Sequence, residues 1–181
     1  DNIKPSEFHF AGHDTFHLRY AWLPKAAEYL KKNKGPSLNQ YESVMAQLGI
    51  GKNMATSLRH WAESSQLFNR IVKDSKIEHE LSIIGKVIFS NEGDPYFETP
   101  ESLWLLHYFI TSNHLKNAMW FYLFNVYNES VINKEEFLFS AISWFKNQGI
   151  KVNERSLEKD FQCCMNMYDS SKIGTKKNED L

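Results

Sequence analysis

The sequence predicts a mainly helical protein in which an N-terminal winged helix-turn-helix is followed by an all-helical domain. Three observations carry that expectation. The stretch LGIGKNMATSLRHWAESSQLF, residues 48–68, has the cadence of a tight turn feeding a helix. Gly49 stands where a helix-turn-helix needs a residue tolerant of positive φ. Behind it, two short apolar runs flank the polar tip Lys73-Asp74-Ser75-Lys76, the pattern of a β-hairpin. Beyond residue 98 the apolar residues recur at helical spacing.

Taken in order, residues 1–17 alternate apolar and polar around Phe8, Phe10 and Phe16 and read as an extended or looped arm. A first helix is expected from Leu23, with Pro24 in its first turn and Ala26, Ala27 and Leu30 facing inward. It should end in Lys31-Lys32-Asn33-Lys34-Gly35-Pro36, where cations meet the negative end of the helix dipole and Gly-Pro stops the helix. A second helix is expected over about 39–48, and the quoted stretch supplies the third. The hairpin occupies 69–81, and Ser82 is placed to cap a short helix after it. Three helices, a hairpin and a short helix is the order of a winged helix-turn-helix.

The loop 90–98, with Gly93 and Asp94-Pro95, is the expected boundary, giving an arm and winged unit over 1–90 and a helical domain over 91–168. Residues 169–181 read as a polar tail. Thr99-Pro100-Glu101 supplies a cap, a proline at the first helical position and an acid near the positive end of the dipole. Leu103, Trp104, Leu106, Phe109 and Ile110 crowd that helix and 118–127 forms another, so both are expected to be largely buried. A further helix should start at Asn133 and run through Phe145. Asn153 is placed to cap a last one over 154–168, where Leu157, Phe161, Cys164 and Tyr168 share a face.

Composition bounds the functional classes. With 42% hydrophobic and 14% aromatic residues in 181, the chain can build a real core. Its two cysteines, adjacent at Cys163 and Cys164, cannot make a disulfide framework, which points to a reducing cytoplasm and to small apolar residues on a helix. No apolar run approaches the roughly 18 to 20 residues of a membrane span, and no signal peptide is evident. The chain begins without methionine, which suggests trimming. Net charge is -1, yet residues 1–90 carry more Lys and Arg than Asp and Glu while 91–181 carry the reverse. A nucleic-acid face, if present, is expected in the front half.

Within the quoted stretch, Ala55 and Leu58 occupy the positions that face the core of a helix-turn-helix. Those that face the groove are Gly51, Lys52, Asn53, Thr56, Ser57 and His60, none of them acidic. Lys52 and Asn53 sit at the helix start, where main-chain N–H groups and the dipole favour a phosphate. Thr56, Ser57 and His60 are expected to meet base edges, and Asn53 has the geometry to pair bidentately with adenine. Arg59, Lys73 and Lys76 would contact the DNA backbone. Glu63, Glu78 and Glu80 dilute the positive surface. Three-helix corners with a glycine turn also serve as interaction modules, which keeps a protein–protein reading open.

The run from Gly12 to Leu23, Gly-His-Asp-Thr-Phe-His-Leu-Arg-Tyr-Ala-Trp-Leu, resembles the opening of a bacterial family known as domain of unknown function 4007. The likeness extends through Leu48-Gly49-Ile50-Gly51-Lys52-Asn53-Met54, Leu103-Trp104-Leu105-Leu106-His107, Ala118-Met119-Trp120 with Phe124-Asn125, and Leu157 with Asp160. The resemblance implies no settled activity. It implies a setting beside DNA-modification and phage-defence genes, phosphorothioation systems with sulfurtransferase-like proteins among them. It also implies a longer chain, with a C-terminal segment beyond residue 181.

Competing chemistry is thinner. His9, His13 and His17 are spaced by four, but the alternation and Gly12 argue against the helix that would align them on a metal, and His13 is expected to hydrogen-bond within the fold near Arg19. Asp14 with His13, or His107 with His114, would be the nearest acid–base pairs. Trp104, Phe109, Trp120, Phe121 and Phe124 either line a pocket for a base or pack as core, the commoner use of such spacing. No phosphate-binding glycine loop, nucleophile elbow or zinc pattern occurs. The expectation is a non-enzymatic, cytoplasmic protein without cofactor or metal, binding duplex DNA as a regulator or accessory factor in a DNA-modification or defence system. The alternative is an adaptor that docks a partner modification or restriction enzyme through its helical half.

Overall fold

The computed structural model describes residues 8–33 and 36–168. The expected polar tail at 169–181, the first seven residues of the arm, and Lys34 and Gly35 at the first helix stop lie outside the described residues. Among the described residues the chain forms eight helices and one two-stranded sheet.

The front half runs α1 (Trp22–Lys32), α2 (Tyr41–Leu48), α3 (Lys52–Ser64), β1 (Phe68–Lys73), β2 (Lys76–Leu81) and α4 (Ile83–Ile88). Pro24 lies in the first turn of α1, Lys31 and Lys32 in its last, and Leu23, Ala26, Ala27 and Leu30 are buried along one face with Trp22 and Tyr29. The strands are antiparallel, with Val72 opposite Ile77 and Lys73 opposite Lys76. The two residues between them, Asp74 and Ser75, both take positive φ, at 48° and 60°. That matches the twist of a two-residue hairpin. The Ser82 side chain accepts from Gly85 N–H and starts α4.

The back half is α5 (Pro100–Ser112), α6 (Ala118–Asn125), α7 (Lys134–Asn147) and α8 (Glu154–Tyr168). The expected caps are in place, Thr99 accepting from Ser102 N–H and Asn153 from Ser156, and Asn133, where a helix was expected to start, proves to cap it by accepting from Glu135 and Glu136 N–H. Residues 91–98 are without a helix or strand, and Asp94 accepts from the Glu98 and Thr99 N–H groups at 2.9 Å each.

One apolar core passes through both halves, with Leu58 and Trp61 of α3, Ile110 of α5, Trp120 of α6, Phe137 and Phe145 of α7 and Leu157 of α8 all buried in it. Burying each such aliphatic side chain stabilises by about 2 kcal/mol. Polar contacts stitch the halves as well: Asn113 Nδ2 donates to Ser64 O at 3.1 Å and Gln66 Nε2 to Phe109 O at 2.9 Å. Trp104 departs from the expected burial of α5, being 70% exposed, because the inward side of the helix is already filled by Leu106, Phe109 and Ile110. Tyr168 also emerges from the shared face of α8, whereas Leu157, Phe161 and Cys164 are buried together with Asp160, an acid on an otherwise apolar stripe. No helix among the described residues is long and apolar enough to cross a membrane.

Candidate nucleic-acid interface

The α2–α3 corner is built as its sequence dictates. Gly49 adopts φ 65°, a left-handed conformation that glycine takes without a Cβ penalty, and its N–H closes α2 on Met45 O at 2.9 Å. Gly51 is extended and leaves the first turn of α3 without a side-chain cap and without an acidic residue. Gly51, Lys52 and Asn53 are all exposed there. Thr56 follows one turn later, half-buried, its hydroxyl donating to Lys52 O at 3.2 Å. On the opposite side Ala55, Leu58 and Trp61 are fully buried.

The remaining expected groove-facing residues are elsewhere. Ser57 is fully buried and its hydroxyl donates to Phe16 O at 3.3 Å. His60 is 8% exposed, with its ring against the Trp61 and His13 rings at 4.9 and 6.0 Å between centroids. Neither can reach a base edge. The reason is the N-terminal arm, which lies over this side of α3. Phe16 O accepts from both Ser57 and Trp61 Nε1, and a Cβ on Gly12 would fall 2.5 Å from His60 Nδ1. Glycine at position 12 is what lets the arm come this close. Arg59 is also committed inside the protein, donating to Asn39 Oδ1 at 2.7 Å with its guanidinium over the Tyr41 ring at 5.6 Å. At the hairpin tip Lys73 and Lys76 stand opposite one another and exposed.

The arm is fastened by His13, which is 1% exposed. Its Nδ1 accepts from Thr15 N–H at 3.1 Å, so Nε2 carries the proton and donates to Asp160 Oδ1 at 2.7 Å. Ala11 N–H reaches the same carboxylate oxygen at 2.8 Å. Burial raises the Asp160 pKa, against these hydrogen bonds, which favour the charged form. His13 thus hydrogen-bonds within the fold as expected, and its partner is Asp160 of α8 rather than Asp14. With both ring nitrogens engaged it has none left to act as a general base. His60 is neutral: burial first, then the neighbouring His13 and Lys116, push its pKa down to about 3.

Glu63, counted from the sequence as diluting the positive surface, is instead nearly buried and neutralised. His79 Nδ1 accepts from Leu38 N–H, so its Nε2 donates to Glu63 Oε1 at 3.1 Å, and Lys116 Nζ donates to Oε2 at 2.7 Å. Burial pushes the Glu63 pKa up, but the His79 and Lys116 hydrogen bonds prevail and hold it at about 2.

The other sequence candidates separate. His9 is exposed on the arm and His13 is buried, and among the described residues no three His, Cys, Asp or Glu side chains gather in a way that would hold a metal ion. His107 Nδ1 meets Tyr168 OH at 2.8 Å, while His114 packs on the Phe8 and Phe121 rings. Of the aromatic set, Phe109 and Trp120 are core. Trp104 and Phe124, in contrast, line an open groove of about 600 Å³ with Tyr20, His107, Met167 and Tyr168. Cys163 and Cys164 are buried, and burial raises both thiol pKa values, which keeps them protonated.

Comparison with known proteins adds a frame. The model of the family described as "Protein of unknown function (DUF4007)" matches residues 10–181. No curated protein matches. Among solved structures, the magnesium ion-bound SspB crystal structure is similar at 26% identity with a TM-score of 0.76, over 91% of this chain and 51% of that one. The SspB crystal structure is similar at the same identity and TM-score, over 88% and 49%. The chain therefore spans about half the length of the solved chains it matches.

Proposed function

Since this chain belongs to the DUF4007 family, we propose that it is a cytoplasmic, non-enzymatic winged helix-turn-helix protein that binds duplex DNA through the start of α3 and the β1–β2 tip. It acts as a regulator or accessory factor in a bacterial DNA-modification or phage-defence system, phosphorothioation included. The observation that carries the reading is the uncapped, acid-free first turn of α3 with Lys52 and Asn53 exposed on it and Thr56 one turn on. The N–H groups of a helix start, a positive dipole end and a lysine make a phosphate seat, and Asn53 adds a side chain able to read a base. Lys73 and Lys76 add backbone contacts from the hairpin. Ser57, Arg59 and His60 take no part.

The test is duplex binding against salt concentration, with and without magnesium because one similar structure holds that ion. Binding should weaken linearly in log[salt], and Lys52→Ala or the pair Lys73→Ala/Lys76→Ala should each reduce the slope by about 1 to 2. A folded wild type that shifts no duplex, plain or phosphorothioated, at low salt ends the proposal.

A second reading, the adaptor that docks a partner modification or restriction enzyme, is supported by the exposed Trp104, Tyr108 and Phe124 on α5 and α6. It expects a stoichiometric partner that co-purifies after nuclease treatment and is lost on Trp104→Asp.

A further inference from the structure

Two open grooves on the back half of the protein meet at Phe124 and Tyr168. The first is the one already described, with Tyr20, Trp104, Phe124 and Tyr168 exposed along it. The second, of about 510 Å³, continues past Phe124 and Tyr168 over Leu123, Ile132 and Met165. Contiguous exposed apolar surface of this kind marks a place where something docks.

The charges around the grooves narrow the occupant. Glu98 is the one charged side chain lining either of them. Residues 91–115 contain Glu92, Asp94, Glu98 and Glu101 and no lysine or arginine, and residues 117–133 and 160–168 contain no lysine or arginine either. Apart from Tyr20, every lining residue comes from these three segments. Asp94 offsets the positive end of α5, because the N–H groups of Glu98 and Thr99 hold its carboxyl below the usual carboxylate range and so keep it charged. His107 supplies no cation, since burial lowers its pKa and leaves the ring neutral near pH 7. Arg19, next to Tyr20, has its guanidinium over the Trp22 ring at 5.4 Å.

The two grooves differ in what they can hold. Tryptophan and tyrosine rings attract a cation, and a carboxylate beside them adds an ion pair. That set is present in the first groove, as Trp104, Tyr20 and Glu98. The second has no charged lining residue and offers Leu123, Ile132 and Met165. A nucleic acid would bring its phosphates against Glu98, with Glu101 in the same stretch, and like charges repel.

We propose that this face docks a protein segment that carries a lysine or arginine close to an apolar side chain, the cation seated by Glu98 and the Tyr20 and Trp104 rings, the apolar side chain laid over Leu123, Ile132 and Met165. It rests on the adaptor reading, whose partner it gives a chemistry.

The probes are two blocked peptides that differ in one group: Gly-Ser-Arg-Ser-Leu-Ser-Gly, and the same chain with citrulline for arginine, which keeps the size and removes the charge. Titrated into the isotope-labelled full chain at low salt, the arginine peptide should move the indole N–H resonance that Trp104→Phe removes. It should bind about 5-fold more tightly than the citrulline peptide. Glu98→Gln should bring the two peptides to within about 2-fold of each other. Trp104 and Glu98 are exposed, so both variants keep the fold. Equal binding of the two peptides to wild type, or an unmoved Trp104 indole, overturns the proposal. So does another occupant: nuclear Overhauser contacts from Trp104 to residues 169–181, a dimer lost on Trp104→Asp, or a Trp104 shift given by single-stranded DNA and not by the peptide. A partner that co-purifies with wild type and Glu98→Gln alike but is lost on Trp104→Asp, with equal peptide binding, leaves the adaptor reading standing and sinks the cation.

Discussion

Acid should unfold this protein through His60. Its pKa is pushed from the ordinary 6.5 to about 3, burial being the main cause and His13 and Lys116 adding to it while Glu63 opposes. Between those values the unfolded chain binds a proton that the folded protein does not. The contribution is therefore fully present above about pH 6.5 and declines as pH falls, by about 1.4 kcal/mol per pH unit in the middle of the window. From about pH 7 to pH 5 the loss is about 2 kcal/mol, a large part of an ordinary domain's stability. Asp160 acts in the opposite sense, since burial raises its pKa and its buried charge costs more as pH rises above its ordinary 3.8. The raw profile mixes the two, so the comparison must be with His60→Phe, which keeps a ring in the site and removes the titration. Urea unfolding followed by tryptophan fluorescence at the two pH values should show wild type losing about 2 kcal/mol more than the variant. Parallel losses within about 0.5 kcal/mol would refute the burial argument. Should His60→Phe fail to fold, the wild-type His60 ring resonance decides: it should stay at its neutral position down to about pH 4, and titration near 6.5 would be equally damaging.

Two further outcomes follow from close contacts away from the arm. In Gly85→Ala the new Cβ would fall 2.1 Å from the backbone oxygen of Leu67, so α4 must move off the Leu67 carbonyl that precedes β1. A loss of about 1 to 3 kcal/mol is expected in chemical denaturation, and a neutral substitution would show that this packing is looser than described. Glu63→Gln removes the charge that His79 and Lys116 surround and should cost about 1 to 3 kcal/mol near pH 7. Because the folded Glu63 pKa is depressed to about 2, its contribution is complete above the ordinary 4.5 and lost as pH falls toward 2. The variant should therefore lack that part of the acid limb, read from thermal melts across the window.

Local signals were legible in the sequence because they are local. The Gly49 turn, the Thr99 and Asn153 caps, the helix start at Asn133 and the Asp74-Ser75 hairpin each depend on residues within a few positions of one another, and each is found where its residues stand. What escaped were contacts between distant segments. Helical periodicity places Ser57 and His60 outward with respect to α2, and segments far away in the chain, the arm more than 40 residues earlier and, for His60, the Lys116–Asn117 turn, make that face an inner one. One signal was available: His13 and Asp160, at opposite ends of the family resemblance, are a hydrogen-bonding ring and an acid standing among apolar neighbours. Their pairing at 2.7 Å is the reason they stand there. Trp104 failed in the other direction, since apolar spacing gives the number of apolar residues on a helix but not whether one side is already full.

These displacements change what kind of DNA contact the α3 corner can make. Losing Ser57 and His60 to the arm and Arg59 to Asn39 removes half of the candidates on that helix and leaves Asn53 and Thr56 as its polar readers beside one lysine. The neutralisation of Glu63 by Lys116 works the other way, taking a negative charge off α3 without adding a cation to it. The remaining surface combines a phosphate seat at Lys52 with two exposed lysines on the hairpin, separated by Asp74 and backed by Glu78 and Glu80 on the strand pairing. Such a surface can hold a backbone but offers few base contacts, and each bidentate contact accounts for only about 1 to 3 kcal/mol of discrimination. The proposed interface is therefore one that grips duplexes of many sequences with a shallow salt dependence, and any strong preference would have to come from DNA shape, a chemical modification or a partner protein.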